Sequence, residues 1–158
     1  MTTNLESGET MSDGQLLMST GFLLGVTHRR VVALLQHRLK EYDITPEQWS
    51  VLFHIVSEEG MIQKHIAEQT FKDKPTVTRI LHQLEGKEFI VREADPSDRR
   101  SYRIFSTEHG RKIIAETHSI EQSIDEEMKR CLGEEGHDQL NYILIKVNDH
   151  FRAKRSDD

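Results

Sequence analysis

The chain of 158 residues is 30% charged and only 35% hydrophobic, and its formal net charge is −6. A single cysteine, Cys131, excludes an internal disulfide and any metal site built from several cysteines. No stretch reaches the roughly 20 apolar residues that a membrane-spanning helix needs. The length fits one domain, and the small hydrophobic fraction favours long amphipathic helices that share apolar surface with a second copy.

The first residues lack a basic start followed by an apolar run, which argues against a signal peptide. We therefore expect a cytoplasmic protein with a disordered tail over residues 1–14. The charge is unevenly distributed along the chain. Residues 72–103 hold eight Lys or Arg and six Asp or Glu, a balance of +2, whereas the remainder holds 13 basic and 21 acidic residues, a balance of −8. One locally basic window in an acidic chain indicates where an anionic partner would bind.

Apolar residues recur at three- and four-residue steps from Leu16 to Tyr42 and predict one long helix. A second helix begins after Thr45, which can act as its cap, while Pro46 takes the first helical position and Gln48 completes a capping box. This second helix carries Trp49 in its apolar stripe and ends near residue 60.

A short helix over residues 62–69 and a fourth helix capped by Asp73 predict a helix-turn-helix, in which Phe71 occupies the position where many such turns have glycine. The fourth helix has an apolar stripe at residues 77, 80, 81 and 84, and its other sides are polar. Those sides offer the donors, acceptors and methyl groups that read base edges, although a solvated surface would look similar. The candidate DNA-binding residues of this helix are Lys74, Pro75, Thr76, Thr78, Arg79, His82 and Gln83.

Two short strands, Phe89–Glu93 and Tyr102–Ser106, predict a hairpin whose connection contains Asp98, Arg99 and Arg100. The Asp98 carboxylate could hold one guanidinium and leave the other pointing outward. An arginine at the tip of a stiff arm suits the negative potential of a narrow minor groove. An exposed turn with ordinary charge pairs is the alternative.

A fifth helix begins after Thr107, breaks near Gly133–Gly136, and is followed by a sixth helix with apolar residues on one face. The fold class is therefore mainly α with a small β-hairpin. The adjacent pairs Glu58-Glu59 and Glu126-Glu127 are interpreted as solvated charges.

The sequence predicts no enzyme, no cofactor and no metal. Among nine histidines, no two are four residues apart and no HExxH motif occurs. A glycine-rich phosphate loop, a nucleophile elbow and paired catalytic carboxylates do not occur either. Ordinary surface or half-buried histidines remain the simpler interpretation.

The segment Asp-Pro-Ser-Asp-Arg-Arg (95–100) follows Thr-Val-Thr-Arg (76–79) and precedes Ser-Thr-Glu-His-Gly-Arg (106–111). This combination resembles the MarR family of winged-helix regulators, over about residues 16–151. The resemblance implies a homodimer in which the fourth helix enters the major groove and the hairpin, or wing, enters the minor groove. It divides the chain into a dimerisation helix (15–43), a winged helix-turn-helix (44–106) and C-terminal dimerisation helices (107–154). The expected dimerisation residues are Leu17, Leu24, Leu140, Leu144, Val147 and Phe151.

Many members of that family are repressors released by small anionic or phenolic ligands, which bind between the dimerisation helices and the winged helix. Trp49 could line such a pocket, and a simple core role is the alternative. The peroxide-sensing branch has its reactive cysteine near the start of the first helix, whereas Cys131 falls late in the fifth helix and is expected to be buried or interfacial.

The sequence thus predicts a DNA-binding transcriptional regulator, a ligand-responsive repressor acting as a homodimer on a pseudo-palindromic operator. The alternative is a winged-helix protein-interaction module without DNA binding. The acidic net charge favours that alternative, and the presence of Arg79, Arg99 and Arg100 argues against it.

Overall fold

The computed structural model describes residues 19–98 and 100–154, so the predicted tail, Leu17 and Arg99 lie outside the described residues. It is mainly helical with a small antiparallel sheet, which confirms the predicted fold class. The elements in chain order are α1 (Thr20–Arg38), a 3-10 turn (Lys40–Tyr42), α2 (Pro46–Ser57), β1 (Met61–Ile62), α3 (Gln63–Thr70), α4 (Lys74–Gly86), β2 (Ile90–Ala94), β3 (Tyr102–Ser106) and α5 (Glu108–Lys154).

The starts of α1 and α2 are set by side-chain caps. Ser19 has an extended backbone and its hydroxyl accepts from the Phe22 N–H at 3.2 Å. The helix therefore begins at Thr20, and a start near residue 15 is wrong for it. In α2 the predicted capping box is confirmed, because Thr45 and Gln48 each accept from the other's backbone N–H at 3.2 Å.

Helices α3 and α4 form the predicted helix-turn-helix. Phe71 ends α3 with φ 55° and ψ 31°, a left-handed conformation that glycine adopts more easily. The Asp73 carboxylate then accepts from the Thr76 N–H at 2.7 Å and starts α4, as predicted. A non-glycine residue thus makes the turn at the position where the sequence pattern anticipates glycine.

The sheet has three strands in the order β1-β3-β2, all antiparallel. The wing, β2 and β3, pairs Ile90 with Ser106 and Ala94 with Tyr102, close to the predicted bounds. Strand β1 is a correction to the predicted two-stranded hairpin, since Met61 pairs with Ile104 on the other side of β3. This third strand anchors the wing to the body, which a lone hairpin in water would lack.

Helix α5 is interrupted at Gly133, where φ is 70° and ψ is 166°, and the predicted break is confirmed. We call residues 108–132 its N-terminal arm and residues 134–154 its C-terminal arm. Across this elbow, buried His137 lies 2.8 Å from the Asp125 carboxylate. The contact fixes the C-terminal arm against the N-terminal arm.

The hydrophobic core lies inside the winged helix. It is built by α2, α3, α4 and β3, with Leu52, Ile66, Leu81 and Ile104 fully buried. The N-terminal arm of α5 closes it with residues 113 and 114. None of the residues of α1 is buried. The described helices include none that is long and apolar enough to cross a membrane.

Two carboxylates predicted to be solvated have partners instead. Glu59 accepts from the Ser106 N–H at 2.8 Å, and Glu127 accepts from the Arg38 guanidinium, which lowers the pKa of Glu127. These contacts join residues far apart in sequence, so the charge pattern alone does not reveal them. Cys131 is exposed, which corrects the expectation of burial, and its interfacial role stays a prediction.

Candidate nucleic-acid interface

Helix α4 presents a polar surface opposite its buried stripe of Val77, Ile80, Leu81 and Leu84. Thr78 is tied internally, since its hydroxyl donates to the Lys74 carbonyl at 2.9 Å and accepts from the Gln63 amide at 2.5 Å. The other predicted readers are at least partly exposed, namely Lys74, Pro75, Thr76, Arg79, His82 and Gln83.

Arg79 is held by acceptors from two helices. Its Nη2 donates to Glu47 Oε2 on α2 at 3.1 Å, and its Nη1 donates to Gln83 Oε1 at 3.3 Å. The Gln83 contact spans one turn of α4 and is readable from the sequence. Glu47 is 32 residues away, and the sequence analysis did not find it.

Gln83 is connected to a buried neighbour. Gln48, which is 5% exposed, donates from Nε2 to Gln83 Oε1 at 3.2 Å. Gln48 Oε1 in turn accepts from the Lys87 ammonium at 3.2 Å and from the Thr45 N–H. The same glutamine that caps α2 therefore links the surface of α4 to a lysine at its end.

The wing turn is organised by Asp95, which is buried although charged. Its Oδ1 accepts from the Ser97 N–H at 2.9 Å and the Ser97 hydroxyl at 2.7 Å, and it lies 3.5 Å from Arg103 Nε. These hydrogen bonds from Ser97, and to a smaller extent the Arg103 charge, lower the pKa of Asp95.

Asp98 accepts from the backbone N–H of Arg100 at 2.9 Å. The predicted grip on a guanidinium is thus replaced, for Arg100, by a main-chain turn. Within the described part of the chain, no acidic side chain pairs with the Arg100 guanidinium, which leaves that cation exposed at the tip. Asp98 shapes the turn that carries it.

The base of the wing is fixed at the junction between β3 and α5. Glu59 accepts from the Ser106 N–H and hydroxyl, and Arg111 donates to the Ser106 carbonyl at 2.9 Å. A Cβ on Gly110 would lie 2.2 Å from the Phe89 carbonyl oxygen, so only glycine allows α5 to approach this closely. The wing and the N-terminal arm of α5 are therefore joined at a tight contact.

The predicted dimerisation residues lie on exposed apolar surfaces. Leu24 on α1 is 38% exposed, and Phe151 on the C-terminal arm is 61% exposed. Leu144 is exposed as well, whereas Leu140 and Val147 are half-buried.

A cavity of about 590 Å³ lies between the helix-turn-helix and the end of the C-terminal arm of α5. Four cations and two aromatic rings lie on its walls, contributed by Lys64, Lys72, Lys74, Arg152, Phe71 and Phe151. The Arg152 guanidinium lies 6.0 Å from the centre of the Phe71 ring, which joins the two sides.

Trp49 lies outside this cavity and is buried. Its indole N–H donates to the Thr117 hydroxyl at 2.7 Å, and its ring stacks on Phe53 at 5.1 Å. These contacts favour the core interpretation over a pocket wall. The described residues contain no group of three or more His, Cys, Asp or Glu that could hold a metal ion.

Comparison with known proteins identifies the family. The family model for the MarR family matches residues 44–102, the segment from the start of α2 to the start of β3. The HTH-type transcriptional regulator SarZ of Staphylococcus aureus (strain USA300) is 30% identical over 130 residues, which cover 82% of this chain and 87% of that protein. The chain belongs to the MarR family.

Solved MarR-like structures share the whole architecture. The transcriptional repressor CouR, bound to a 23-mer DNA duplex, has a TM-score of 0.78 and 28% identity, covering 89% of this chain and 99% of its own. The S. aureus MepR–DNA complex has a TM-score of 0.79 and 27% identity, covering 84% and 98%. Both are DNA-bound regulators, and the winged-helix fold of this MarR-family chain is theirs.

Proposed function

We propose that this protein is a sequence-specific DNA-binding transcriptional repressor that acts as a homodimer on a pseudo-palindromic operator. The observation that carries the proposal is the pairing of an exposed polar α4, with Arg79 on it, and a wing braced by the body that presents Arg100. One element suits the major groove and the other a narrow minor groove. The DNA complexes of CouR and MepR support the same use of this fold.

The homodimer is supported by where the apolar surface remains uncovered. Among the described residues, nine of twelve exposed large hydrophobic side chains lie on α1 and α5. They include Phe22 and Leu24 on α1, and Ile143 and Ile145 on the C-terminal arm. Apolar patches of this extent need cover, and a second copy would bury an interface above about 2,000 Å², as obligate dimers do.

A small anionic or phenolic effector is the third part of the proposal. The cavity beside α4 offers cations for a carboxylate or phenolate, and the Phe71 and Phe151 rings for an aromatic body. Because Lys74 lines the cavity and also starts α4, an occupant would move or shield the DNA-facing helix. Salicylate should weaken DNA binding by the parent, and Arg152→Ala should reduce that response. A parent whose DNA affinity ignores a series of phenolic acids would contradict this part.

DNA binding itself is tested with Arg79→Ala. The preferred duplex is first selected with the parent from a randomised pool, and binding is then measured at about 50 and about 200 mM salt. We expect steep weakening with salt in the parent, and a loss of about 1–3 kcal/mol for Arg79→Ala on the selected duplex. Lys112→Ala, which removes an exposed charge on α5, is the matched control.

The second candidate, a protein-interaction module without DNA binding, is favoured by the net charge of −6. It predicts that the pool yields no preferred sequence and that scrambled DNA binds as well as any other. A salt-sensitive, sequence-dependent parent excludes it.

A further inference from the structure

We propose that Glu47 is a specificity-determining residue of DNA binding, because together with Gln83 it positions the Arg79 guanidinium for a base edge. The inference rests on the proposed DNA-binding function. Glu47 acts through Arg79 and is a positioning residue, with no need to touch a base itself.

The clamp on Arg79 has two points of contact on different nitrogens. Glu47 Oε2 accepts from Nη2 at 3.1 Å, and Gln83 Oε1 accepts from Nη1 at 3.3 Å. Two acceptors fix the plane of the guanidinium, which an otherwise mobile arginine would leave free. Of its five N–H donors, two are used by the clamp, and the others remain for DNA.

The acceptor on Gln83 is itself fixed by donor logic. Lys87 can only donate, so Gln48 must turn its Oε1 toward Lys87, where the contact is 3.2 Å. Gln48 Nε2 must then donate to Gln83 Oε1, which also accepts from Arg79. Two obligate donors, Lys87 and Arg79, thus set both amides, and Gln48 is buried enough to hold that orientation.

The Glu47 charge also opposes the wrong mode of binding. On a non-preferred sequence, Arg79 gains most from a phosphate, which requires it to leave the carboxylate. The half-exposed Glu47 carboxylate then faces the phosphate backbone without its cation. On a preferred base edge, Arg79 keeps the clamp. Glu47 therefore lowers the affinity for random DNA more than the affinity for the preferred site.

The test compares the affinity for the pool-selected duplex with that for its scrambled version, at one salt concentration. Glu47→Gln should reduce this ratio at least about fivefold, the lower end of what one oriented arginine–base contact supplies. Its affinity for scrambled DNA should rise. Glu47→Asp keeps the charge but shortens the reach, so it should reduce the ratio without that rise.

Two controls separate positioning from folding and from general charge. Glu116→Gln, the same charge change on α5, should leave the ratio within about twofold of the parent. In an Arg79→Lys background, Glu47→Gln should change the ratio by less than about twofold, since lysine cannot be clamped at two points. Thermal unfolding of every variant shows which effects come from lost folding.

The inference is overturned if Glu47→Gln keeps the parent's ratio, or if Glu47→Asp keeps it, because a charge that needs no contact does not position Arg79. A loss of ratio that persists in the Arg79→Lys background also overturns it. If the parent selects no sequence from the pool, the proposed function fails instead, and the two failures are distinguishable.

Discussion

Asp95 shows how one side chain can shape the tip of the molecule. It is buried at the base of the wing turn, and its carboxylate accepts from the Ser97 N–H and hydroxyl next to Arg103. Its pKa is lowered, so the ionised form is the one that folding favours. The contribution of Asp95 is therefore fully present above its unfolded pKa of about 3.9, and it is lost as the pH falls through the lower folded value.

The first prediction is that Asp95→Asn lowers the free energy of unfolding near pH 7, because the amide accepts these hydrogen bonds more weakly. The difference from the parent should shrink as the pH is lowered from about 6 toward and below about 3.9, since the parent also loses its charge there. Urea unfolding across this range measures it, with Glu93→Gln as the control. A difference that stays constant down to the acid end would contradict the assignment.

Single residues also mark the limit of sequence reasoning. Caps such as Thr45 with Gln48 are predictable, because both partners lie within one turn. The partner of Arg79 on α2 is not, because 32 residues separate them and only the packed helices bring them together. The same holds for Glu59 and Glu127, whose partners are distant in sequence. Site residues were therefore found as a list, and their partners were not.

Among the elements, helix order, the helix-turn-helix and the wing follow from the sequence, because apolar periodicity and capping are local signals. Strand β1 does not follow from it. Two residues, Met61 and Ile62, carry no periodicity, and they form a strand only because β3 lies alongside. The bend at Gly133 is predictable as a break, whereas the packing of His137 on Asp125 is not.

The second prediction concerns the joint between the wing and α5. Gly110→Ala should destabilise the fold by about 1–3 kcal/mol, because its Cβ would overlap the Phe89 carbonyl and force the elements apart. Gly86→Ala is the matched control, since it meets nothing within 4 Å and lies in α4, where alanine is preferred. Thermal unfolding compares them. Equal effects of the two substitutions would show that the joint tolerates a side chain.

The third prediction concerns the wing as an element. Replacing both Arg99 and Arg100 by alanine should weaken binding to all duplexes, because these arginines are proposed to meet groove potential and phosphate. The salt dependence should flatten by roughly one unit for each lost contact on each arm. Affinity measured against salt on selected and scrambled duplexes checks this. A double variant as tight as the parent at physiological salt would make the loop an ordinary charged turn.

At the scale of the whole molecule, an acidic protein is proposed to bind an acidic polymer. The net charge is −6, yet residues 72–103 carry a balance of +2 and include the exposed side of α4 and the wing. The excess of acid lies elsewhere, so repulsion from DNA favours approach by this side alone. In a two-fold dimer, two such sides would meet half-sites about 10 base pairs apart, centre to centre, or a multiple of the helical turn.

The fourth prediction is that Leu144→Glu weakens the dimer, and folding with it, because a charge on the C-terminal arm would be buried in the proposed interface. Sedimentation at micromolar concentration should show a dimeric parent and a dissociating variant. Val91→Glu is the control, since Val91 is equally apolar and exposed but lies on the wing. A monomeric parent would refute the dimer.

The left-handed backbone at Phe71 has a consequence for how this protein would respond to selection. A bulky residue there costs roughly 1–2 kcal/mol that glycine would not, and a ring that is 64% exposed returns little of it by burial. Phe71 also forms a wall of the cavity proposed for the effector. A library sorted for heat resistance should therefore enrich Phe71→Gly, whereas a library sorted for release from DNA by salicylate should retain the phenylalanine.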